Sequence, residues 1–284
     1  MPIVTLQEVL TNATKQRYAV GMFDVHNLEM TKAVIQAAEQ EKSPVILALA
    51  EVHCTSVDIL EELSNIMVHA ARRASIPVCV HFDHGTELEN LIRVMRLGFS
   101  SVMLDGSTLP YEENIKKTAE AVKMASKFSV SVEGELGHIG GGEGGSADCH
   151  TVELTEPDKA AAFVARSGVQ ALAVSIGTVH GVYKSAPELD INRLRSIRSI
   201  VDIPLVLHGG SGLTDLDFCT CIKAGISKIN IYTEIAQAAM NCINHETNTG
   251  KNATNYYDLM RLSTVAMKDI ISQKLRLFRS AGQA

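Results

Sequence analysis

Pro77-Val78-Cys79-Val80-His81-Phe82-Asp83-His84 is a short run rich in valine that ends on an acid and an imidazole. Seven comparable runs recur along the chain, at 18–24, 44–50, 101–106, 129–137, 171–177, 204–210 and 228–233. Their interiors read VILALA, SVML, SVSVE, ALAVSI, LVLH and INI. Valine and isoleucine favour pleated, buried positions, and alanine and glycine allow close approach between strands. Most runs are shorter than eight residues, the length of a strand that crosses a core once.

The intervening segments, 27–41, 57–74, 87–97, 111–126, 157–167, 190–200, 214–224 and 234–245, carry helical periodicity. In the fourth, Ile115, Ala119, Val122 and Met124 are set among Glu112, Glu113, Lys116, Lys117, Glu120 and Lys123, so one face suits a sheet and the other water. Gly98, Gly168 and Gly225 follow three of these segments, as helix-ending glycines do. Eight alternations predict an α/β fold, a (β/α)8 barrel (TIM barrel); a doubly wound sheet shares the same pattern. The length of 284 residues suits one barrel domain spanning 1–284. The tail from residue 251 carries Leu259, Leu262, Val265, Met267, Ile270 and Ile271 and is predicted to be helical, covering a barrel end or joining a partner subunit.

The net charge of −6, from 26 Lys plus Arg against 32 Asp plus Glu, and the lack of a basic run argue against nucleic acid as a partner. No signal sequence or membrane-spanning stretch is legible, so a cytoplasmic protein with no membrane partner is expected. The six cysteines include no Cys-x-x-Cys pair and read as reduced thiols.

His84, His180 and His208 each follow a different strand-like run, which brings three imidazoles to one barrel mouth. Such a set can bind zinc with an open position for substrate, while histidine type alone equally fits surface or core roles. Asp83 and His84 are adjacent, so strand alternation directs them to opposite faces unless the strand bends at its exit. With that bend, Asp83 can exchange a proton with a sugar hydroxyl; otherwise it can accept loop amides. Asp105 and Glu135, near other strand ends, fit either support of the metal, direct ligation, or plain structural hydrogen bonding. Gly209-Gly210-Ser211-Gly212 after the seventh run, with Gly181, Asn230 and Thr233, offers amides and short polar groups to a phosphate. A monovalent cation, Na+ or K+, could share that surrounding. Residues 138–156, HIGGGEGGSADCHTVELTE, read as a mobile glycine-rich loop at the active end, with Glu143 embedded in it.

The ordered set FDVHN, FDHG, SVMLDGS, SVEGELG, the loop with Glu143, IGTVHG, LVLHGGSG and KINIYT resembles the class II, metal-dependent ketose-bisphosphate aldolases, in the tagatose- and fructose-bisphosphate branch. The resemblance covers roughly residues 6–245. It implies zinc on His84, His180 and His208, with Asp83 exchanging the hydroxyl proton at the bond made or broken. It also implies that Glu143 exchanges the proton of the nucleophilic carbon, and that Gly181, Gly209, Ser211, Asn230 and Thr233 receive the phosphate of dihydroxyacetone phosphate. Asp105 and Glu135 match acids near the metal. The implied reaction is reversible cleavage of tagatose or fructose 1,6-bisphosphate to dihydroxyacetone phosphate and an aldehyde through a zinc-stabilised enediolate, in a homodimer or homotetramer.

The chain departs from the family pattern at Asp24 in FDVHN, at Leu49-Ala50-Glu51, at Gly85 and at Tyr232. These departures mark Asp24 and Glu51 as candidate contacts to the distal half of the substrate. They leave a second expectation open, an aldolase for a longer or oxidised monophosphorylated ketose. A noncatalytic zinc-binding protein is the non-enzymatic alternative. Arg276 and Arg279 are candidates for the distal end.

Overall fold

The computed structural model describes residues 3–54, 56–141, 152–181, 183 and 185–284. Eight parallel strands run β1 (Val20–Asp24), β2 (Val45–Ala50), β3 (Val78–Gly85), β4 (Ser101–Leu104), β5 (Ser131–Leu136), β6 (Ala171–Val174), β7 (Leu205–Leu207) and β8 (Ile226–Ile231). Each pairs with its neighbour in sequence, and β1 pairs with β8, Met22 opposite Asn230, which closes the barrel and excludes a doubly wound sheet. The helices between them are α1 (Leu6–Gln16) before β1, then α2 (Leu28–Glu41), α3 (Val57–Arg73), α4 (Leu88–Leu97), α5 (Tyr111–Ala125), α6 (Pro157–Ser167), α7 (Ile191–Ile200) and α8 (Asp215–Ala224). After β8 come α9 (Thr233–Thr249) and α10 (Tyr256–Leu277). Gly98, Gly168 and Gly225 cap α4, α6 and α8 in the left-handed conformation, where a side chain would be strained.

Alternation along the strands divides their residues between two cores. Phe23, Leu47, Leu49, Val80, Phe82, Val102, Leu104, Leu172, Leu207 and Ile231 belong to the layer between strands and helices. Val20, Met22, Ile46, Ala48, Cys79, Ala171, Ala173 and Val206 fill the barrel interior together with Leu6, Val9, Leu10 and Ala13 of α1. That helix was not part of the sequence expectation. It opens on a capping box, Thr5 Oγ accepting from the Glu8 amide while Glu8 accepts from the Thr5 amide. Its buried leucines and valine each contribute about 1.5–3 kcal/mol, and they seal the end of the barrel where the strands begin. The polar side chains lie further along the strands, toward their C-terminal ends.

The tail is helical as expected, and α10 packs chiefly on α2 and α9. Its end corrects the expectation for two arginines. Arg276 makes two hydrogen bonds to the Glu41 carboxylate, 2.8 and 2.6 Å, at the last residue of α2. The Ala19 amide, just before β1, donates to the Phe278 carbonyl at 3.0 Å. Both contacts lie where strands begin, so Arg276 and its neighbour Arg279 stand at the opposite end from the histidines. Cys54, Cys79, Cys219, Cys221 and Cys242 are free thiols; Cys149 lies outside the described residues. No helix among the described residues is long and apolar enough to cross a membrane.

Candidate active site

The exit of β3 makes the bend that strand alternation requires. Pairing with β4 slips between Phe82 and Gly85, and His84 adopts φ +47°. A non-glycine residue there stores about 1–3 kcal/mol of strain, and the turn lets Asp83 and His84 serve the same mouth. Asp83 Oδ2 and His84 Nε2 are 3.6 Å apart. Gly85 is dictated by space: a β-carbon there would meet the Leu91 methyl and lie 2.9 Å from the Met103 carbonyl oxygen. Any side chain here would require Leu91 and the Met103 carbonyl to shift.

His84, His180 and His208 each present a ligand atom within 4.8 Å of the others. His84 Nε2 and His208 Nδ1 approach to 2.8 Å. Two nitrogens at about 2.0–2.1 Å from a tetrahedral zinc would stand about 3.3 Å apart, so a small adjustment accommodates an ion. The outward nitrogens are held by carboxylates, His84 Nδ1 by Asp105 Oδ2 at 2.7 Å and His208 Nε2 by Glu133 Oε1 at 2.9 Å. Carboxylate–imidazole pairs of this kind orient metal ligands and raise their basicity. The donor set therefore fits a divalent ion. Asp105 also accepts from the Ser107 amide at 2.9 Å, and burial of its carboxyl is outweighed by His84, which holds its pKa below the usual range. Glu135 lies within the same 4.8 Å reach of His84 and Asp105, and its Oε1 accepts from the Ile139 amide at 3.3 Å.

Beneath the histidines, around Asp83, is a polar layer whose other members the sequence reading did not single out. Asp83, His81, Ser101, Glu133 and Lys228 are almost wholly buried inside the barrel. Asp83 Oδ1 faces His81 Nε2 at 3.2 Å, and Oδ2 accepts from Asn230 Nδ2 at 3.3 Å. His81 Nδ1 lies 2.8 Å from Ser101 Oγ. Lys228 Nζ and Glu133 Oε2 are 2.9 Å apart, a charge contact whose angles fall short of a hydrogen bond. Burial alone would raise the Glu133 pKa, but the Lys228 charge and the His208 hydrogen bond hold it at about 2. Burial is likewise overcome at Asp83, whose pKa lies well below the carboxylate range under the influence of His84, His81 and Lys228. Burial and the Lys228 charge lower the His81 pKa against the opposing pull of Asp83 and Glu133, which favours the neutral imidazole. Lys228 is thus committed to a carboxylate, in keeping with a reaction that needs no lysine imine.

The residues expected to hold phosphate line one pocket. Gly181, Gly209, Ser211, Asn230 and Thr233 surround it with His180, Gly210, Asp24, Ala50, His53 and Tyr232. Gly209 has φ +66°, and a β-carbon there would press on the Val179 carbonyl. Thr233 does not end β8 but opens α9, so the pocket also faces a helix N-terminus. The turn through Gly212 is pinned by its amide to Glu234 at 2.9 Å, and Glu234 in turn meets Lys274 of α10 at 2.7 Å.

Asp24 is buried at the mouth, as the sequence suggested. Glu51 is otherwise engaged. Its carboxylate accepts from the Thr86 amide and hydroxyl, each at 2.7 Å, and from Asn90 at 2.8 Å, tying the exits of β2 and β3 together. His53, two residues on, takes the place at the pocket, with its ring 4.8 Å from Tyr232 and 5.2 Å from His26. Glu143 lies outside the described residues. The two ends of its loop are anchored: His138 and Glu153 exchange amide–carbonyl bonds of 2.8 and 2.9 Å, and the His180 amide donates to the Gly140 carbonyl at 2.8 Å.

Comparison with known proteins now adds identity to geometry. The family described as fructose-bisphosphate aldolase class-II matches residues 4–283. The chain belongs to the class II fructose-bisphosphate aldolase family. The chain is accordingly a carbon–carbon lyase, and its reaction is reversible, metal-assisted aldol cleavage of a phosphorylated ketose. An Escherichia coli K12 relative, described as the uncharacterized protein YdjI, is 40% identical over 273 residues, covering 96% of each chain. The crystal structure of the YdjI aldolase matches with a TM-score of 0.88 at 37% identity, covering 99% of each chain. A fructose-bisphosphate aldolase from Campylobacter jejuni, at 22% identity, shares the fold with a TM-score of 0.84 over 99% of this chain and 97% of its own.

Proposed function

We propose that His84, His180 and His208 hold zinc and that the aldolase releases dihydroxyacetone phosphate from a ketose phosphorylated at C1. The observation that carries this reading is the shared pocket, in which His180 stands beside Gly181, Gly209, Ser211, Asn230 and Thr233. Backbone amides of the glycine turns, the Ser211 hydroxyl and the N-terminus of α9, with its partial charge of about +0.5, would receive the phosphate. A sodium or potassium ion beside the phosphate is part of the same proposal. Bound zinc would supply Lewis acidity to the ketose carbonyl.

Asp83, clamped at both oxygens, accepts the C4 hydroxyl proton as the C3–C4 bond breaks and C4 leaves as an aldehyde. The bonding electrons remain on the three-carbon half, and Glu143 returns a proton to C3. Reversal of these transfers gives condensation. Asp105 and Glu133 hold the outer nitrogens of His84 and His208, and Glu135 supports the β5 exit or offers an alternate ligand.

Tagatose or fructose 1,6-bisphosphate is the first substrate reading, from the family. A second reading, a longer or oxidised ketose carrying only the C1 phosphate, is favoured by the distal side. Asp24, His53 and Tyr232 line the same pocket and are assigned to its distal side in this reading, and no Lys or Arg is among the described residues lining it. A carboxylate so placed would repel a second phosphate. We also propose one domain over residues 1–284, a cytoplasmic setting, and a homodimer or homotetramer. The exposed Met240, Tyr256 and Tyr257, at 55%, 76% and 74%, support assembly.

Coupled detection of dihydroxyacetone phosphate across a panel of ketose mono- and bisphosphates, before and after chelation, tests the reading. Metal-dependent release is expected. Metal-independent cleavage, or zinc-loaded protein that releases no dihydroxyacetone phosphate from any C1-phosphorylated ketose, would overturn it.

A further inference from the structure

Asp83 is not held by its immediate surroundings alone. Ser101 on β4, His81 on β3 and Asp83 at the β3 exit form a line of hydrogen-bond partners, 2.8 Å from Ser101 Oγ to His81 Nδ1 and 3.2 Å from His81 Nε2 to Asp83 Oδ1. All three side chains are fully buried. A neutral imidazole carries one proton, and only one tautomer satisfies both ends. Nε2–H then donates to the carboxylate, and Nδ1 accepts from the Ser101 hydroxyl. The other tautomer would turn a lone pair against the carboxylate. Burial and Lys228 oppose an imidazolium, while Asp83 and Glu133, whose Oε2 lies 4.0 Å from Nε2, favour a proton on that nitrogen.

We infer that His81, braced by Ser101, is a positioning residue that aims the Asp83 carboxylate at the C4 hydroxyl and serves carbon–carbon cleavage alone, not enolisation of the three-carbon half. The inference rests on the reading of Asp83 as the C4 proton acceptor. Asn230 holds Oδ2 at 3.3 Å, a long bond that leaves the carboxylate free to rotate if Oδ1 loses its donor. The adjacent His84 is strained, so the backbone has little scope to compensate. Proton exchange at C3 uses a different acid–base group and the same metal, and therefore does not depend on where Asp83 points.

The experiment compares two reactions of the zinc-loaded enzyme, ketose phosphate cleavage and solvent-deuterium exchange into dihydroxyacetone phosphate, with zinc content measured in parallel. His81→Leu is expected to lower kcat for cleavage about 100-fold, the cost of roughly 1 Å of misplacement, with KM, exchange and zinc content near wild type. His81→Gln, whose amide reaches the Nε2 position, should recover about tenfold of that loss. Ser101→Ala, which deletes one hydroxyl, should give a smaller selective loss and provides the test if His81→Leu does not fold. Parallel loss of cleavage and exchange, loss of zinc, or a glutamine variant no better than leucine would overturn the inference. Asp83→Asn separates the two claims. Cleavage retained in Asp83→Asn removes the Asp83 reading itself. Cleavage lost there but unchanged in the His81 and Ser101 variants removes the positioning role alone.

Discussion

Replacing Lys228 by Met tests whether the buried ion pair beneath the histidines stabilises the barrel as a coupled unit. Lys228 is fully buried, and its ammonium is 2.9 Å from Glu133 Oε2. Methionine retains most of the stem volume and removes only the charge, leaving Glu133 buried without its cation. Removing one partner of such a pair costs about 3–5 kcal/mol. At about 2–4 °C per kcal/mol for a domain slightly smaller than this one, the melting temperature of metal-free protein should fall by ~6–20 °C. Glu133→Gln should be similarly costly, because it strands the ammonium. The double variant should be much less unstable than the sum, with a coupling of at least about 2 kcal/mol, since it removes both charges together. Urea unfolding of the four proteins without metal measures the cycle. Additivity within about 0.5 kcal/mol would refute the reasoning, because independent sites behave that way.

Further expectations concern the metal, the strand exit and the tail. Asp105→Asn, which weakens the carboxylate behind His84, should reduce zinc affinity about 10–100-fold in chelator competition, while the fold is retained. Gly85→Ala should cost about 1–3 kcal/mol, because the Met103 carbonyl blocks the new methyl; a neutral effect in denaturant unfolding would show that the β3 exit is looser than its geometry. Arg276 holds the Glu41 pKa below the ordinary value, so the stability it gives is present above the unfolded pKa and is lost as pH falls through the folded one. The advantage of wild type over Glu41→Gln, about 0–1 kcal/mol for an exposed guanidinium, should therefore shrink between about pH 6 and about pH 3.

The barrel was legible because every strand is buried on both faces, and long apolar runs such as VILALA survive without an alignment. The three histidines were legible because each lies at or just beyond the end of such a run. What lay beneath them was not, although the signal was present. His81 shares the strand parity of Asp83, as Glu133 shares that of Glu135 and Lys228 that of Asn230, and side chains two apart face the same way. Following that parity inward would have placed all three in the barrel. The α1 plug also had a signature, Thr5-x-x-Glu8 before Leu6, Val9, Leu10 and Ala13 at helical spacing. Glu51, Arg276 and Arg279 could not be placed this way. Their partners Thr86, Asn90 and Glu41, and the end of the barrel they occupy, follow from how helices and exits dock rather than from spacing within a strand.

Anomalous diffraction at the zinc edge from crystals of active enzyme would test the central claim most directly. The account predicts a full peak about 2.0–2.1 Å from one nitrogen of each of His84, His180 and His208. A catalytically competent enzyme whose only peak lay in the cluster of His81, Asp83 and Glu133, or that bound no ion between the three strand-end histidines, would contradict it.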